Sequence, residues 1–502
     1  MKAKQKKPNR PKAINPKGFK DYSEREVNER TEMLRKITEI YFAYGFEALE
    51  TPAVETVEAL GSFLPDVDRP NAGVFSWLDE GEKWLALRYD LTAPLARFYA
   101  QNRHRLANPY RRFAMGPVWR NEKPGPGRYK QFYQCDADTV GAVSPAADAE
   151  ICIMLSDILD NIGVGSGNYQ IKLNNRKILN GILEKIGLLG EENGAEILEK
   201  RGIVLRTIDK LDRLGISGVT ELLGRGREDE SGDFSAGANL TPMQVSVITE
   251  FLTSLQSTTA KTCAKLRESV GSSEVGMEGL TELERIYELC IAGGVNESCI
   301  SVDPGIVRGL GYYTGTVFEA DLSYHKSKAS VYKSQFGSVA GGGRYDNLVK
   351  RFIGQLIPAT GVSLGVDRLL AAVQEFNEEP TYSDGPVVVT VMDKSLITYY
   401  QQIVQELRKN QIRSEMFLGN AKELGKQLKY ADQRKSPIAI IVGSDELEKG
   451  VVQLKDLHLG AKLSRSIKSN EEWKSRPSQI EIKRNELIEE VQKMLNRVEK
   501  KS

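Results

Sequence analysis

The sequence is poor in the residues that build the commonest hydrolytic and metal sites. It has three histidines, His104, His325 and His458, and none stands in a catalytic-triad or HExxH setting. This argues against a histidine-based hydrolase and a zinc protease. The five cysteines show no CxxC spacing and leave an odd one. They therefore predict reduced thiols in a cytoplasmic protein, with no disulfide framework and no protein metal site.

The chain also lacks a long apolar run and an excess of charge of one sign. No apolar stretch approaches the roughly 20 residues of a membrane-spanning helix, and no signal-peptide core is present. The formal net charge is +1 at pH 7, so any contact with nucleic acid must come from local patches. Residues 1–17 hold seven basic residues and no acidic one, and they are predicted to form a disordered tail.

A chain of 502 residues is too long for a single core and predicts two or three domains. Strand-like, glycine-rich sequence patterns over 18–178 and 301–376 predict one domain in two parts. Long helical patterns over 179–300 predict a mainly helical insertion, in which Gly226–Asp233 is predicted as a loop. A polar linker is predicted over 377–386. Alternating apolar strands and helices over 387–502 predict a separate α/β domain with a parallel or mixed sheet.

Three local patterns near the start of the first domain predict its first elements. Apolar residues at spacings of three and four predict a helix over Glu24–Tyr44 that ends at Gly45. A short strand broken by Pro52 is predicted over 46–55, and another strand over 84–92.

An arginine- and glycine-containing loop, Arg120–Arg128, runs into an alternating strand over 129–138. Together with the preceding strand it predicts an antiparallel hairpin over 111–141. Because successive side chains on a strand point to opposite faces, Phe132, Gln134, Asp136 and Asp138 share one face. Arg120 and Glu122 are predicted to share a face of the strand before the loop. The hairpin would present an arginine, an aromatic ring, an amide and carboxylates to one pocket, which suits a substrate carrying both an anionic and a cationic group.

These residues resemble those of the class II aminoacyl-tRNA synthetases, and in particular the histidyl-tRNA synthetase family. The helix ending at Gly45 with the strand carrying Pro52 resembles class II motif 1, and the hairpin with Arg120 and Glu122 resembles motif 2. The segment Pro358–Arg368 resembles motif 3. The runs Arg308–Gly315 and Gly341–Asp346 resemble the two histidyl signatures. The segment Arg88–Thr92 resembles another part of the family's amino-acid site.

The resemblance implies a fold, a reaction and site residues. The fold is an α+β catalytic domain with the antiparallel class II sheet, a mainly helical insertion and a C-terminal anticodon-binding α/β domain. ATP would be bound by Arg120, Glu122, Arg128, Phe132 and Arg368. Histidine would be bound by Asp90, Thr92, Gln134, Asp138, Arg308, Tyr312, Tyr313 and Tyr345. Arg308 and Arg120 are the expected catalytic residues, whereas Asp136 is interpreted as structural.

The implied activity is that of a histidine–tRNA ligase, in which ATP activates histidine and the histidyl group passes to its tRNA. Magnesium is expected to arrive bound to the ATP phosphates. The implied partners are histidine tRNA, ATP and L-histidine, in a homodimer without membrane contact. Two alternatives stay open: the synthetase-like regulatory subunit of ATP phosphoribosyltransferase, and a class II synthetase of the threonyl or prolyl type.

Overall fold

The computed structural model of the chain describes most of its residues: 11–61, 73–123, 129–189, 194–228, 232–307, 309, 313–322, 337–376, 385–420, 423–464 and 478–499. The chain divides into two compact units, Met1–Asn377 and Glu378–Ser502. The division falls at the start of the predicted linker.

The first unit combines twelve described helices with thirteen strands. The helices are α1 Glu24–Ala43, α2 Val57–Leu60, α3 Thr92–Asn102, α4 Pro145–Asn161, α5 Arg176–Lys185, α6 Ala195–Ile208, α7 Leu211–Leu223, α8 Pro242–Leu252, α9 Thr259–Val270, α10 Glu274–Ala292, α11 Lys350–Ile353 and α12 Val366–Phe376. The strands are β1 Glu47–Ala48, β2 Val54–Thr56, β3 Ser76–Leu78, β4 Trp84–Leu87, β5 Tyr110–Trp119, β6 Gln131–Val140, β7 Tyr169–Asn175, β8 Gly226–Glu228, β9 Phe234–Ala236, β10 Ile300–Val302, β11 Thr316–Leu322, β12 Ser338–Arg344 and β13 Ala359–Gly365.

An eight-stranded sheet is the centre of the first unit, in the order β1-β5-β6-β13-β12-β11-β7-β10. The inner strands pair antiparallel, and only the two outermost pairs, β1 with β5 and β7 with β10, are parallel. In this register Asp138 of β6 lies opposite Arg112 of β5 on one side and Gly361 of β13 on the other. The predicted antiparallel sheet is confirmed.

Helix α1 follows the predicted pattern. Ser23 and Glu26 form a capping box at its start, and Gly45, with a φ of 75°, follows its last turn. The buried face carries Met33, Ile37 and Tyr41, one helical turn apart.

Two predicted strands differ from those observed, and both differences have local causes. The strand predicted over 46–55 is two short strands, β1 and β2, in different sheets, with Pro52 between them. The strand predicted over 84–92 ends at Leu87. There the Asp90 carboxylate accepts hydrogen bonds from the backbone N–H groups of Thr92, at 3.1 Å, and Ala93, at 2.9 Å. These bonds cap α3 and turn the chain into a helix.

The described part of 179–300 is mainly helical, with α6–α10 and the end of α5. Its predicted loop contains a strand, since β8 pairs with β9 in a two-stranded sheet. The buried apolar side chains of these helices, such as Val204 and Leu283, belong to the same cluster as Leu173 of the large sheet. The helices therefore share the core of the sheet. Their status as a separate domain stays a prediction.

The second unit has a five-stranded mixed sheet in the order β15-β14-β16-β17-β18. Its strands are β14 Val387–Val389, β15 Ser414–Met416, β16 Ile438–Ile441, β17 Val451–Asp456 and β18 Gln479–Lys483, and its helices are α13 Ile397–Lys409, α14 Leu424–Gln433, α15 Ser444–Lys449, α16 Leu457–Ser464 and α17 Leu487–Glu499. Strands β14–β16 are parallel, whereas β17 and β18 join antiparallel. The predicted α/β character is confirmed. None of the helices formed by the described residues combines the length and apolar character that a bilayer crossing requires.

Candidate active site

A cavity of about 580 Å³ opens over the large sheet of the first unit. Strands β6, β11, β12 and β13 contribute its floor and walls, and the first turn of α12 and the loop residue Tyr89 complete them. Its polar and aromatic lining includes Arg120, Glu122, Phe132, Gln134, Glu319 and Arg368. The cavity therefore collects side chains from segments more than 200 residues apart.

Arg120 enters the cavity from just beyond the end of β5. Its backbone N–H donates to the carbonyl of Lys130 at 2.8 Å, one step past the last strand pair. The guanidinium carbon lies 4.4 Å from the centroid of the Tyr89 ring and 5.1 Å from that of the Phe132 ring, and its Nε donates to the Tyr89 carbonyl at 3.3 Å. Among the described residues no carboxylate forms an ion pair with Arg120. The Tyr89 and Phe132 rings hold its guanidinium group at the cavity.

The strand β5 ends before Arg120 and Glu122, which the alternation pattern had placed on the strand. The reason is that the backbone N–H of Asn121 donates to the carbonyl of Gly73, at 3.0 Å, and so leaves the hairpin ladder. Glu122 nevertheless reaches the cavity, where its carboxylate accepts a hydrogen bond of 2.8 Å from the Tyr89 hydroxyl.

Gln134 offers the cavity an unpaired acceptor. Its Nε2 donates to the Ser363 hydroxyl at 2.6 Å, which fixes the orientation of the amide. Its Oε1 is buried and has no hydrogen-bond partner among the described residues. A buried acceptor without a donor is costly, and a ligand ammonium group would satisfy it.

Arg368 and Tyr313 complete the cavity from the other side. Arg368 lies in the first turn of α12 and donates from Nη1 to the Ser338 carbonyl at 2.8 Å. Tyr313 is half-buried, and burial raises the pKa of its hydroxyl. Its ring packs on Gly309, where a Cβ would lie 2.6 Å from the ring and where φ is +65°. A side chain at that position would displace the tyrosine.

Beneath the cavity β6 buries two carboxylates, Asp136 and Asp138. Arg112 pairs with Asp138 across a distance of 2.8 Å from Nη2 to Oδ2, and the Tyr345 hydroxyl donates to the other oxygen of Asp138. The Asp136 Oδ1 is buried and unpartnered among the described residues. Burial, reinforced by Asp138, raises the pKa of Asp136 to about 7.

A family model described as "Histidyl-tRNA synthetase" matches residues 18–369, and one described as "Anticodon binding domain" matches 386–494. A relative from Cereibacter sphaeroides, named histidine–tRNA ligase, is 59% identical, and the alignment covers 98% of this chain and 100% of the relative.

The chain belongs to the histidyl-tRNA synthetase family.

A solved structure supports this family membership. The structure of histidyl-tRNA synthetase from Nostoc is 28% identical, with a TM-score of 0.71, and covers 96% of this chain and 100% of its own. A Bacillus halodurans structure titled as an ATP phosphoribosyltransferase regulatory subunit/histidyl-tRNA synthetase is 20% identical, with a TM-score of 0.65, covering 84% and 97%. At that identity the likeness shows the fold alone and does not favour the regulatory-subunit alternative.

The site residues expected from the histidyl-tRNA synthetase resemblance fall into three groups. Six line the cavity: Arg120, Glu122, Phe132, Gln134, Tyr313 and Arg368. Four lie outside its lining: Asp138 and Tyr345 below it, and Asp90 and Thr92 at the start of α3, where Asp90 caps the helix. Three lie outside the described residues: Arg128, Arg308 and Tyr312. The individual roles of all thirteen stay predictions.

Among the residues that sequence reasoning did not single out are Tyr89, Glu319 and Ser363 of the cavity lining and the buried Arg112. Arg112 and Glu319 left a signal, because each is a charge within an otherwise largely apolar strand. Such a charge is buried only when it is paired. Tyr89 and Ser363 left none, since a tyrosine in a loop and a serine in a strand are common anywhere.

Proposed function

We propose that this protein attaches L-histidine to histidine tRNA in two steps. The histidine carboxylate attacks the α-phosphorus of ATP, which forms histidyl adenylate and releases pyrophosphate. The terminal ribose hydroxyl of the tRNA then takes the histidyl group and AMP leaves. One observation carries the proposal: a single cavity combines two arginines, Arg120 and Arg368, with the unpaired acceptor of Gln134. This pairing suits a phosphate beside an amino acid.

The ATP half of the reaction asks the protein to position the phosphates and stabilise their charge. Arg120, held between two aromatic rings, would bind the α-phosphate, and Arg368 with Arg128 would bind the outer phosphates. Glu122 would contact the adenine amino group and Phe132 would stack on the ring. Arg308 would act beside the reacting carboxylate. Rigid guanidinium forks match phosphate geometry, which supports these assignments.

The histidine half needs acceptors for an ammonium and a polar match for an imidazole. Gln134, Asp90 and Thr92 would receive the ammonium group, and Asp138 and Tyr313 would bond the two ring nitrogens. Tyr312 and Tyr345 would also take part in histidine binding. A side chain of similar size without those nitrogens would leave the buried polar groups unpaired, which discriminates strongly against it.

Magnesium would enter with ATP, bound by its phosphates. It would neutralise part of the phosphate charge. Among the described residues no group of three or more His, Cys, Asp or Glu side chains could hold a metal ion. We also propose that the second unit binds the anticodon of the tRNA. A homodimer is proposed from the motif 1 resemblance, and the 59% exposed Phe42 near the end of α1 supports it.

ATP–pyrophosphate exchange with each of the 20 amino acids offered separately tests this function. Exchange with histidine alone is the expected result. Exchange with another amino acid would overturn the pocket assignment while keeping the reaction class. No exchange from folded protein that still binds histidine would overturn the activity and favour the regulatory subunit.

A further inference from the structure

Arg112 is the largest fully buried side chain of the first unit, with 0% of its surface exposed. An arginine in that position is rare, because removing its charge from water is expensive unless partners compensate. Its partners are few and specific. Nη2 lies 2.8 Å from Asp138 Oδ2, an ion-pair contact without hydrogen-bond geometry, and it donates a hydrogen bond to the Leu91 carbonyl at 2.9 Å. Its Nε and Nη1 are buried without hydrogen-bond partners among the described residues.

The charges around Arg112 do not balance. Asp136 and Asp138 are 1% and 2% exposed and share one face of β6, and Asp90 acts on both from the start of α3. The other titratable groups that act on this cluster are the Arg88 guanidinium, which acts on Asp136, and four phenols and one thiol, which are Tyr41, Tyr110, Tyr313, Tyr345 and Cys135. Arg112 is the cation that acts on both Asp136 and Asp138 among the described residues.

Arg112 and burial shift the pKa of Asp138 in opposite directions. Burial raises the pKa of Asp138, whereas Arg112 acts to lower it. Burial would likewise lower the pKa of the Arg112 guanidinium, but the two carboxylates reverse this and raise it. The arginine therefore stays charged and favours the ionised form of Asp138.

The orientation of Asp138 is also restrained by its surroundings. The Tyr345 hydroxyl donates to Oδ1, and Gly361 of the neighbouring strand leaves the only room for that oxygen, since a Cβ there would lie 2.2 Å from it. On the other side Arg112 links Asp138 to Leu91, which lies between Asp90 and Thr92. One guanidinium thus connects the residue proposed for the imidazole with the segment proposed for the ammonium group.

We propose that Arg112 is a positioning residue for histidine recognition, which keeps Asp138 ionised and oriented and holds the Asp90–Thr92 segment beside it. The proposal rests on the proposed function, in which Asp138 accepts a hydrogen bond from the imidazole. Arg112 itself does not line the cavity and would act only through these neighbours.

The test is the pH dependence of the KM for histidine in ATP–pyrophosphate exchange, measured between pH 6 and 9 for the native protein and for Arg112→Met. Losing an opposite charge at contact distance shifts a carboxylate pKa upward by about one to three units. We therefore expect the pH below which KM rises to move upward by at least about one unit. At pH 7 we expect a KM increase of about 10- to 100-fold, with a smaller change in kcat. The imidazole of free histidine titrates equally in both assays.

Arg111→Met is the matched control. Arg111 precedes Arg112 on the same strand, points to the opposite face and pairs with Glu150 at 2.5 Å. We expect it to leave the pH profile unchanged. Arg112→Lys keeps the charge without the planar fork, so its pH profile should stay close to the native one although KM increases. An unshifted profile in Arg112→Met, or the same shift in Arg111→Met, would overturn the proposal.

A double-mutant cycle with Asp138→Asn separates this proposal from the function on which it rests, and it removes the unpaired buried charge that could prevent Arg112→Met from folding. If Asp138→Asn leaves the histidine KM unchanged, the proposed role of Asp138 fails. If Asp138→Asn raises KM, Arg112→Met should add little in the Asp138→Asn background. An equal further increase in that background would show that Arg112 does not act through Asp138.

Discussion

The two main sheets of the molecule treat buried charge in opposite ways. In the first unit the central strand β6 buries Asp136 and Asp138, and its neighbour β5 buries Arg112. In the second unit the central strands β14 and β16 bury only apolar side chains, and no charged side chain is buried in the described part of that unit. Both sheets are well packed, so packing does not require the charges of the first.

This difference in buried charge indicates which of the two units contains the active site. Desolvating a charge costs several kcal/mol unless partners compensate, so a sheet that buries ionisable side chains such as Arg112 and Asp138 keeps them for a purpose other than stability. The second sheet has an apolar centre. The following experiments test this contrast, starting with the largest expected effect.

A carboxylate placed at the centre of the second sheet should destabilise that sheet. Ile440 has 0% exposure and lies on β16 between β14 and β17. We expect Ile440→Asp to destabilise the second unit by more than about 5 kcal/mol, because the described part of that unit buries no charged side chain that could pair with the carboxylate. Hydrogen exchange by mass spectrometry should show lost protection over 386–494 and retained protection in the first unit.

Ile440→Val is the control for that experiment, with an expected loss of about 0.5–1.5 kcal/mol. Native-like protection of 386–494 in Ile440→Asp would mean that the two sheets tolerate charge equally.

Removing a charge from the cavity of the first unit should affect activity without affecting the fold. We expect Arg120→Ala to lower kcat/KM for ATP–pyrophosphate exchange by about 10³-fold or more, equivalent to about 4 kcal/mol of transition-state stabilisation. The melting temperature should stay unchanged. Arg285→Ala, which removes an arginine exposed on α10 and paired with Glu288, should leave exchange unaltered. A similar loss of activity in both variants would contradict the role of Arg120.

Asp136 should make the first unit less stable as pH rises. Its pKa is raised by burial to about 7, against about 3.9 in an unfolded chain. Between these values the folded state binds a proton that the unfolded state has lost, so the free energy of unfolding falls with rising pH by up to about 1.4 kcal/mol per pH unit. Asp136→Asn should flatten this slope in urea titrations at pH 5, 6 and 7.

The exposed Asp21 supplies the comparison for that titration, since Asp21→Asn should keep the native slope. If Asp136→Asn also keeps it, the Asp136 carboxyl is ionised in the folded protein at neutral pH.

Of these changes, removing a surface charge from the second unit should have the smallest effect on stability. Lys493 of α17 lies 2.7 Å from Glu489 and from Glu490 but is half exposed, so water screens these pairs. We expect Lys493→Ala to change the melting temperature of the second unit by less than about 1 °C. A change several times larger would show that charge pairs support this unit and would weaken the contrast between the two sheets.

Much of both units could be predicted from local pattern. Helix α1, the long hairpin β5–β6 and the α/β alternation after 387 follow directly from apolar spacing and turn residues, because these features depend on neighbours in the chain. The family membership and fold class were also predicted from motifs, and both are confirmed. The early end of β4 at Leu87 was not predicted, since it depends on the Asp90 carboxylate capping the next helix.

Residue identity and order alone determined that Gln134, Asp136 and Asp138 share one face of a strand, because side-chain alternation is a property of the extended backbone. Only the tertiary structure decided what lies beside each of them. Strand order places Arg112 on one side of Asp138 and Gly361 on the other, and it brings Ser363 to Gln134. The contacts of Gly361 and Ser363 join residues more than 200 positions apart, and no local pattern encodes them. Their burial in turn sets the charge state of the carboxylates, since a pKa depends on the surrounding medium and on the neighbouring charges.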